Sequence, residues 1–243
     1  MSFLSRLTHA ARSKAAELTT SDQIDAYIDS RALEYPAKIE EDFVQRALGL
    51  GVQSGMILDV GTRVGLILLK MLWHNENFYG IGIDTSGSLV ERARETAEAW
   101  GLADRAFFQV GDARNMRLKT GYFDVVISDS TLHAFEDPVS VLREIHRVLK
   151  PKGALLIREL RRPTRFRMRQ RIEACSRLYG ERMRPQVETA LRAAFTRAEF
   201  CAVVEASGLE RVRIVEPDEY HLLLERRGET DPTSWVKARE QYW

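Results

Sequence analysis

The sequence predicts an α/β protein with a mostly parallel sheet covered by helices on both faces. Two observations lead to this prediction. From residue 56 to residue 157, short apolar runs typical of buried strands alternate with segments in which apolar residues recur at helical spacing. Such alternation indicates βαβ units, because parallel strands are joined by helices that cover the sheet. Near the end of the chain, two more apolar runs have only a short connection, which predicts an antiparallel hairpin.

The strands are predicted at short apolar runs that end in glycine or polar residues. Those of the alternating region are 56–60, 78–83, 106–110, 123–128 and 154–157. The Pro-Lys-Gly turn at 151–153 is expected to precede the fifth strand. The two strands of the hairpin are expected at 209–215 and 220–224.

The helices are predicted from capping residues as well as from apolar spacing. Three Ser/Thr-x-x-Glu/Gln spacings have the form of a capping box, and one Asp-Pro pair suits the start of a helix. These starts are Thr20 with Gln23, Ser88 with Glu91, Thr196 with Glu199, and Asp137 with Pro138. A further helix is expected from 64 to 73.

The same elements divide the chain into parts. Residues 1–50 are expected to form an N-terminal helical cap, and residues 51–228 the α/β domain. The alternation stops after Leu160, so residues 161–195 are expected to be a helical lid inserted after the fifth strand. Residues 229–243 have weak patterning and are expected to form a C-terminal tail.

Composition and charge exclude several classes of protein. The 36 Lys and Arg residues nearly balance the 35 Asp and Glu residues, so no overall charge favours nucleic acid or a membrane surface. No apolar run approaches the ~20 residues that span a bilayer, and no secretory signal pattern is visible. Cys175 and Cys201 lie far apart, so neither a disulfide framework nor a metal site is predicted. We therefore expect a cytoplasmic protein.

Glycines and polar residues follow the ends of the first four predicted strands. The sets are Asp59, Gly61, Thr62, Arg63 and Gly65; Asp84 and Thr85; Asp112 and Ala113; and Ser128. In open parallel sheets, ligands bind beyond the carboxyl ends of the strands. We therefore expect these residues to surround one ligand.

These sets suit an adenine nucleoside with an acidic tail. A glycine turn lets the backbone approach a ligand, and the N-terminus of the following helix favours a carboxylate. Asp84 can accept hydrogen bonds from both hydroxyls of a ribose, and Asp112 can accept one from an adenine amine. The small side chain of Ala113 leaves room for the ring. The Gly61-x-x-x-Gly65 spacing differs from the Gly-x-Gly-x-x-Gly of nicotinamide enzymes, which disfavours that alternative.

Residues 56–157 resemble the class I S-adenosylmethionine-dependent methyltransferases of the small-molecule type. The segments that carry the resemblance are 57–65, 82–86, 111–113, 123–128 and 132–153. The family implies a Rossmann-like sheet of seven strands whose last strand is antiparallel, in agreement with the predicted hairpin. It also implies S-adenosylmethionine as cofactor and in-line methyl transfer to a small metabolite, for which an anionic compound is one candidate.

The resemblance assigns parts of the cofactor to individual residues. It implies that Gly61, Thr62 and Gly65 surround the methionine moiety, that Asp84 contacts the ribose, and that Asp112 and Ala113 contact the adenine. Asp59 would shape the loop and contact the cofactor through water. Thr85 and Ser128 are assigned to the same site.

Arg63 departs from the family, which usually has glycine at this position. If the backbone there needs a positive φ, a residue other than glycine costs on the order of 1 kcal/mol. The side chain would then crowd the cofactor, point outward, or meet a carboxylate of the cofactor or of an anionic substrate. The sequence leaves these alternatives open.

The substrate side of the site is less well defined by the sequence. His133, just past the fourth strand, is the candidate base, although a structural role in its loop is favoured; Asp129, Glu159 and His221 are weaker candidates. Tyr27 and Arg31 lie one turn apart on a predicted cap helix and, with Arg158, are the candidate substrate contacts. For Tyr27 and Arg31, the alternative is core packing and a solvated charge.

The lid segment is rich in arginine, since residues 158–184 contain ten arginines and three glutamates. This cluster would attract a carboxylate, a phosphate or RNA, or it would form a solvated face paired with acids from elsewhere, which we favour. Few aromatic residues interleave it, which disfavours an RNA methyltransferase. Ser-Asp-Ser-Thr after the fourth strand, in place of Asn/Asp-Pro-Pro-Tyr, disfavours methylation of DNA or RNA amines. A non-catalytic cofactor-binding or regulatory protein of the same fold is the other alternative.

Overall fold

The computed structural model describes residues 20–229. Its strands are β1 (Gly55–Val60), β2 (Phe78–Asp84), β3 (Ala106–Val110), β4 (Phe123–Asp129), β5 (Leu149–Leu160), β6 (Arg213–Val215) and β7 (His221–Arg226). They form one seven-stranded sheet in the order β3-β2-β1-β4-β5-β7-β6. β7 is antiparallel to β5 and to β6, and the pairs from β3 to β5 are parallel. The predicted Rossmann-like sheet with an antiparallel last strand is confirmed.

The helices cover both faces of this sheet. They are α1 (Ser21–Arg31), α2 (Glu34–Leu48), α3 (Leu66–His74), α4 (Gly87–Ala99), α5 (Pro138–Val148), α6 (Arg165–Tyr179), α7 (Arg184–Ala193) and α8 (Arg197–Ser207). Phe43, Leu68 and Val90 belong to the apolar cluster on the face of α2, α3 and α4. Leu142 and Phe200 belong to the cluster on the opposite face, under α5 and α8. β4 is buried along its whole length, as a central parallel strand between two helical layers must be.

Helix capping followed the prediction at three of four starts. Thr20 with Gln23 and Thr196 with Glu199 form complete capping boxes, and Asp137 accepts a hydrogen bond from the amide of Ser140. The helix start predicted at Ser88 was wrong. Ser86 is the N-cap there, because its hydroxyl oxygen accepts a hydrogen bond from Leu89 N.

The bounds of three strands also differ from the prediction. The segment 151–153 is not a turn before the fifth strand but lies inside β5, where the pairing jumps from Phe123 with Leu149 to Val125 with Ala154. The extra residues are accommodated as a bulge. β6 is shorter than the predicted 209–215, whereas β7 extends beyond the predicted 220–224.

The cap and the lid meet above the carboxyl ends of the strands. Ile24 and Tyr27 of α1 share an apolar cluster with Val64, with Leu89 of α4 and with Met183 in the 3₁₀ turn Glu181–Met183, which joins α6 to α7. The predicted cap is described here as α1 and α2. Residues 1–19 of the cap and 230–243 of the predicted tail lie outside the described residues. None of the described helices is long and apolar enough to cross a bilayer.

Candidate active site

A cavity of about 260 Å³ lies at the carboxyl ends of the strands, beneath α1 and the lid helices α6 and α7. The turns after β1, β2, β3 and β4 all contribute to its wall. Their contributions are Gly61 and Arg63; Asp84, Thr85 and Ser86; Gly111 and Ala113; and Ser130, Thr131 and His133. The structure therefore brings the four predicted strand ends to one cavity.

The turn after β1 requires glycine at two positions. Gly61 has a φ of +76°, and a Cβ atom there would lie 2.4 Å from the side chain of Thr131. Gly65 has a φ of +79°, and a Cβ atom would lie 2.7 Å from the ring of Phe108. Both the left-handed backbone and the close approach exclude a side chain. Gly61 lines the cavity, whereas Gly65 is the N-cap of α3 and does not.

Asp84 ends β2 with its carboxylate at the cavity wall. Its Oδ2 accepts a hydrogen bond from Arg63 N at 3.0 Å, and its Oδ1 accepts one from Ser86 N at 3.0 Å. A carboxylate has about four acceptor positions, so each oxygen keeps capacity for a ligand hydroxyl. Thr85 and Ala113 line the wall beside it.

Three predicted cofactor residues are turned away from this cavity. Asp59 is buried and accepts a hydrogen bond from the hydroxyl of Thr62 at 2.7 Å, and neither residue lines this cavity. Ser128 is also buried, and its hydroxyl donates to the carbonyl of Val60 at 2.8 Å, which ties β4 to β1. Their contact with a cofactor stays a prediction, and their observed role is to shape the turns.

The carboxylate of Asp112 is likewise engaged elsewhere. Arg114 donates to both of its oxygens, from Nε at 3.0 Å to Oδ1 and from Nη2 at 2.7 Å to Oδ2. These hydrogen bonds lower the pKa of Asp112. Asp112 does not line the cavity, although its neighbours Gly111 and Ala113 do. The predicted contact of Asp112 with adenine therefore also stays a prediction.

Arg63 has a φ of +52°, and its side chain does not point outward but lines the cavity. Its guanidinium donates to the carbonyl of Ser130 at 2.9 Å and to the hydroxyl of Tyr27 at 3.3 Å. The ring of Tyr27 lies between Arg63 and Arg31, each guanidinium carbon being 5.3 Å from the ring centroid. Both hydrogen-bond acceptors of Arg63 are neutral, and no carboxylate among residues 20–229 forms an ion pair with it.

The other two cavity arginines each form an ion pair within the protein. Arg31 donates to Glu40 at 2.5 Å, and Arg158 holds both oxygens of Asp129, at 2.8 and 2.9 Å. Burial alone would raise the pKa of Asp129, but the adjacent Arg158 guanidinium holds it well below its ordinary value. Asp129 therefore stays ionised and matches the charge of Arg158, whereas Arg31 shares Glu40 with Lys70, whose Nζ lies 2.8 Å from Glu40 Oε2.

His133 lines the same cavity and forms a buried pair with Glu159, which lies behind it. His133 is 3 % exposed and Glu159 is fully buried. Glu159 Oε1 accepts hydrogen bonds from the amides of Thr131 and Leu132, and its Oε2 lies 2.7 Å from His133 Nδ1. A carboxylate only accepts, so Nδ1 donates to Glu159, and in the neutral imidazole the lone pair then lies on Nε2. In the described part of the chain, Nε2 has no hydrogen-bond partner.

The arginine-rich segment is mainly paired with acids. Its ion pairs include Arg161 with Glu216, Arg162 with Glu199, Arg167 with Glu219, Arg169 with Glu173, and Arg182 with Asp29. Of the ten arginines in 158–184, only Arg158 lines the cavity. Arg161, Arg162, Arg167 and Arg182 pair with acids outside the segment, as the favoured interpretation expects, whereas Arg169 pairs with Glu173 inside it.

The sequence did not identify which lid residues reach the cavity. They are Cys175, Tyr179, Met183, Gln186, Val187, Ala190 and Leu191. They recur on α6 and α7 roughly every three to four residues, which is the only signal that the sequence offered for them. The arginines between them obscured this signal.

Comparison with known proteins identifies the family. The family described as methyltransferase domain matches residues 53–228. The chain therefore belongs to this family, and it is a class I S-adenosylmethionine-dependent methyltransferase.

The chain is similar to methyltransferases that are named for different small molecules. It is 27% identical over 173 residues to the demethylmenaquinone methyltransferase of Bacteroides fragilis, which covers 65% of this chain and 68% of that protein. It is 35% identical over 104 residues to the norajmaline N-methyltransferase of Rauvolfia serpentina, which covers 42% of this chain and 34% of that protein.

Solved structures of low sequence identity share the fold. A SAM-dependent methyltransferase from Aquifex aeolicus superposes with a TM-score of 0.61 at 22% identity, covering 82% of this chain and 96% of that one. The geranyl diphosphate C-methyltransferase of Streptomyces coelicolor A3(2) gives a TM-score of 0.60 at 13% identity, covering 88% and 87%.

The buried carboxyl group of Asp59 should make the stability of the protein depend on pH. Burial raises its pKa from 3.8 to about 7, against the lowering effect of the hydrogen bond from Thr62. The folded state therefore holds this proton at pH values where the unfolded state has lost it, and the stability contribution of Asp59 falls as pH rises from about 4 to 7. In urea titrations, the unfolding free energy of the wild type should fall relative to Asp59→Asn by at least about 1 kcal/mol over this range.

The exposed Asp104 offers a matched control. Asp104→Asn should give a stability curve parallel to that of the wild type from pH 4 to pH 7. A parallel curve for Asp59→Asn as well would show that Asp59 is ionised in the folded protein.

Proposed function

We propose that this protein methylates a proton-bearing oxygen or nitrogen of a small molecule, with His133 as the base. The observation that carries the proposal is that Asp84 lines the same cavity as His133, whose Nδ1 lies 2.7 Å from Glu159 Oε2. The proposal is supported by relatives whose names refer to small molecules, including demethylmenaquinone and norajmaline.

The β1 and β2 ends of the cavity fit the cofactor. Gly61 leaves its turn open to backbone approach, and Asp84 keeps free acceptor capacity toward the cavity for ribose hydroxyls. Ala113 and Thr85 provide a small wall beside Asp84 for an adenine ring. When bound, S-adenosylmethionine supplies a methyl group on a sulfonium with a good neutral leaving group, so catalysis needs mainly alignment.

We assign Arg63 the role of binding the carboxylate of the cofactor. Its backbone amide is bonded to Asp84, so its side chain begins beside the proposed ribose position and extends across the cavity to Ser130. A buried guanidinium with only neutral acceptors gains more from a carboxylate than Arg31 or Arg158, which already have one.

His133 acts on the acceptor. Glu159 fixes the imidazole through Nδ1, so that Nε2 can take the proton of a hydroxyl or amine as the methyl group is transferred. The positive charge that develops on the ring is then stabilised by the Glu159 carboxylate. Glu159 is a positioning residue, since it acts through His133 and does not line the cavity.

We further assign α1 and the lid helices to enclosure of the substrate, with Tyr27, Arg31 and Arg158 in the wall. The ion pairs of Arg31 with Glu40 and of Arg158 with Asp129 support a structural role for both arginines. The pairing of the lid arginines also gives RNA methylation little support.

Asp84→Ala should weaken binding of S-adenosylmethionine by more than about 1 kcal/mol, because two ribose hydroxyls lose a charged acceptor. Isothermal titration calorimetry measures the difference, and Asp104→Ala is the control. Wild-type affinity in Asp84→Ala would show that the ribose lies elsewhere.

Arg63→Met should weaken binding of S-adenosylhomocysteine about tenfold or more, since a charge-assisted hydrogen bond contributes about 1.5–3 kcal/mol. Binding of 5′-methylthioadenosine, which lacks the amino-acid part, should not change. Equal losses for both ligands would contradict the assignment, because they would indicate a disturbed turn rather than a lost carboxylate contact.

Glu159→Gln should reverse the tautomer of His133. The amides of Thr131 and Leu132 need an acceptor, so the amide oxygen of Gln would stay with them and its NH₂ group would face Nδ1. The proton would then move to Nε2 and the base would be lost. Long-range ¹H–¹⁵N NMR of the ring nitrogens detects this change, with His133→Gln to identify the signal among the five histidines. An Nε2–H tautomer already present in the wild type would rule out His133 as the base.

A further inference from the structure

The lid carries a buried polar atom without a partner. Gln186 Oε1, on α7, is buried and accepts no hydrogen bond in the described part of the chain. Arg162 Nε shares this property there, but Arg162 does not line the cavity, whereas Gln186 does. A buried acceptor without a donor costs about 1–3 kcal/mol. A ligand that donates a hydrogen bond to Gln186 would remove this cost.

Most other polar side chains in the cavity wall are engaged within the protein. The engaged side chains include Ser30, Arg31, Arg63, Asp84, Asp129, Ser130, Thr131, His133, Arg158 and His221. Among residues 20–229, the hydroxyl of Tyr179 on α6 makes no hydrogen bond. Burial raises the pKa of Tyr179 to about 12, so this hydroxyl keeps its proton and can donate it. The lid thus presents an acceptor and a donor that the protein does not use.

Apolar side chains form much of the wall, although the ion-paired Arg31, Asp129 and Arg158 also act on Tyr179. Ile39, Leu160, Met183, Val187 and Leu191 line the same cavity. An anionic substrate group in this part of the wall would have to compete with Glu40 and Asp129 for Arg31 and Arg158. Burial of a charge without a partner is strongly unfavourable, whereas a neutral hydroxyl needs only a donor and an acceptor.

The lid helix and the base lie close enough to act on one molecule. α7 packs against the 3₁₀ turn Leu132–Ala134, which carries His133. Gln186 and His133 therefore line one cavity from two adjoining elements. A single small substrate can meet both residues through different groups.

We propose that Gln186 and Tyr179 bind an uncharged hydroxyl of the substrate, separate from the group that is methylated beside His133. The inference rests on the proposed function and names its substrate class: a neutral, largely apolar alcohol or phenol with a second hydroxyl. A site built to bond a hydroxyl discriminates strongly against the analogue that lacks it, because its polar groups are then left unpaired.

The experiment measures binding to the full-length protein saturated with S-adenosylhomocysteine. The probes are 1-naphthol, the isomeric dihydroxynaphthalenes, which vary the separation of two hydroxyls on one apolar frame, and 1-hydroxy-2-naphthoic acid, which is charged. At least one diol should bind the wild type about tenfold more tightly than 1-naphthol, a difference of about 1.4 kcal/mol. The acid should bind more weakly than that diol.

The variants are Gln186→Leu and, as a matched control, Gln170→Leu on the exposed side of α6. Gln186→Leu should abolish the advantage of the diol and leave 1-naphthol unchanged, and Gln170→Leu should behave as the wild type. Tyr179→Phe, which removes only a hydroxyl, should reduce the same advantage. Unchanged affinity for S-adenosylhomocysteine in each variant shows that the fold is intact.

Three results would overturn the inference: diols that bind no better than 1-naphthol, an advantage that survives Gln186→Leu, or tightest binding by the acid. A failure of all probes to bind the saturated protein would also overturn it. A wild type that binds no S-adenosylhomocysteine would instead overturn the proposed function, so the two failures can be told apart.

Discussion

Parallel pairing of neighbouring strands is the constraint on which the site depends. β1 pairs with β2 and β4, and β2 pairs with β3, all in parallel. Adjacent strands lie about 4.8 Å apart, so the turns that follow them come within side-chain reach of one another. The bonds from Arg63 N to Asp84 and from Ser128 to the carbonyl of Val60 are contacts of this kind. Backbone geometry therefore builds the cofactor end of the cavity.

The other end of the cavity is organised by buried carboxylates on β4 and β5. Asp129 and Arg158 are register partners on these strands and form an ion pair, while Glu159, one residue further, holds the turn that carries His133. Buried charges are tolerated only when they are paired and hydrogen-bonded. These two carboxylates meet that condition within the protein, so they fix the loops instead of attracting ions.

The sequence predicted the parts of the structure that short-range chemistry decides. The capping boxes at Thr20 and Thr196 and the strand β3 were correct, because a few neighbouring residues determine them. The capping box at Ser88 failed because Ser86 occupies the N-cap in the preceding turn. The bulge in β5 was missed, since it depends on packing of Gly153 against Leu149 and the backbone of β4. Such packing is visible only in the tertiary structure.

The residues of the candidate site likewise fall into those that the sequence could predict and those that it could not. Strand-end positions such as Gly61 and Asp84 could be predicted, because topology brings them together whatever their side chains do. The orientation of Asp112 could not, since it depends on Arg114. Nor could Gln186, because the cavity-facing side of a lid helix is decided by how that helix docks.

Among the described residues, strained backbone and an unpaired buried polar atom both occur in the wall of the cavity. Of the described residues other than glycine, Arg63, Ser130 and Arg211 have a positive φ, and the first two line the cavity and are bonded to each other. Gln186, with its unpaired oxygen, lies in the lid wall of the same cavity. Strained backbone and unsatisfied polar groups persist where function compensates for them. The buried ion pairs nearby show that this fold can satisfy its polar groups, so a group left unsatisfied at the cavity indicates the place of a ligand.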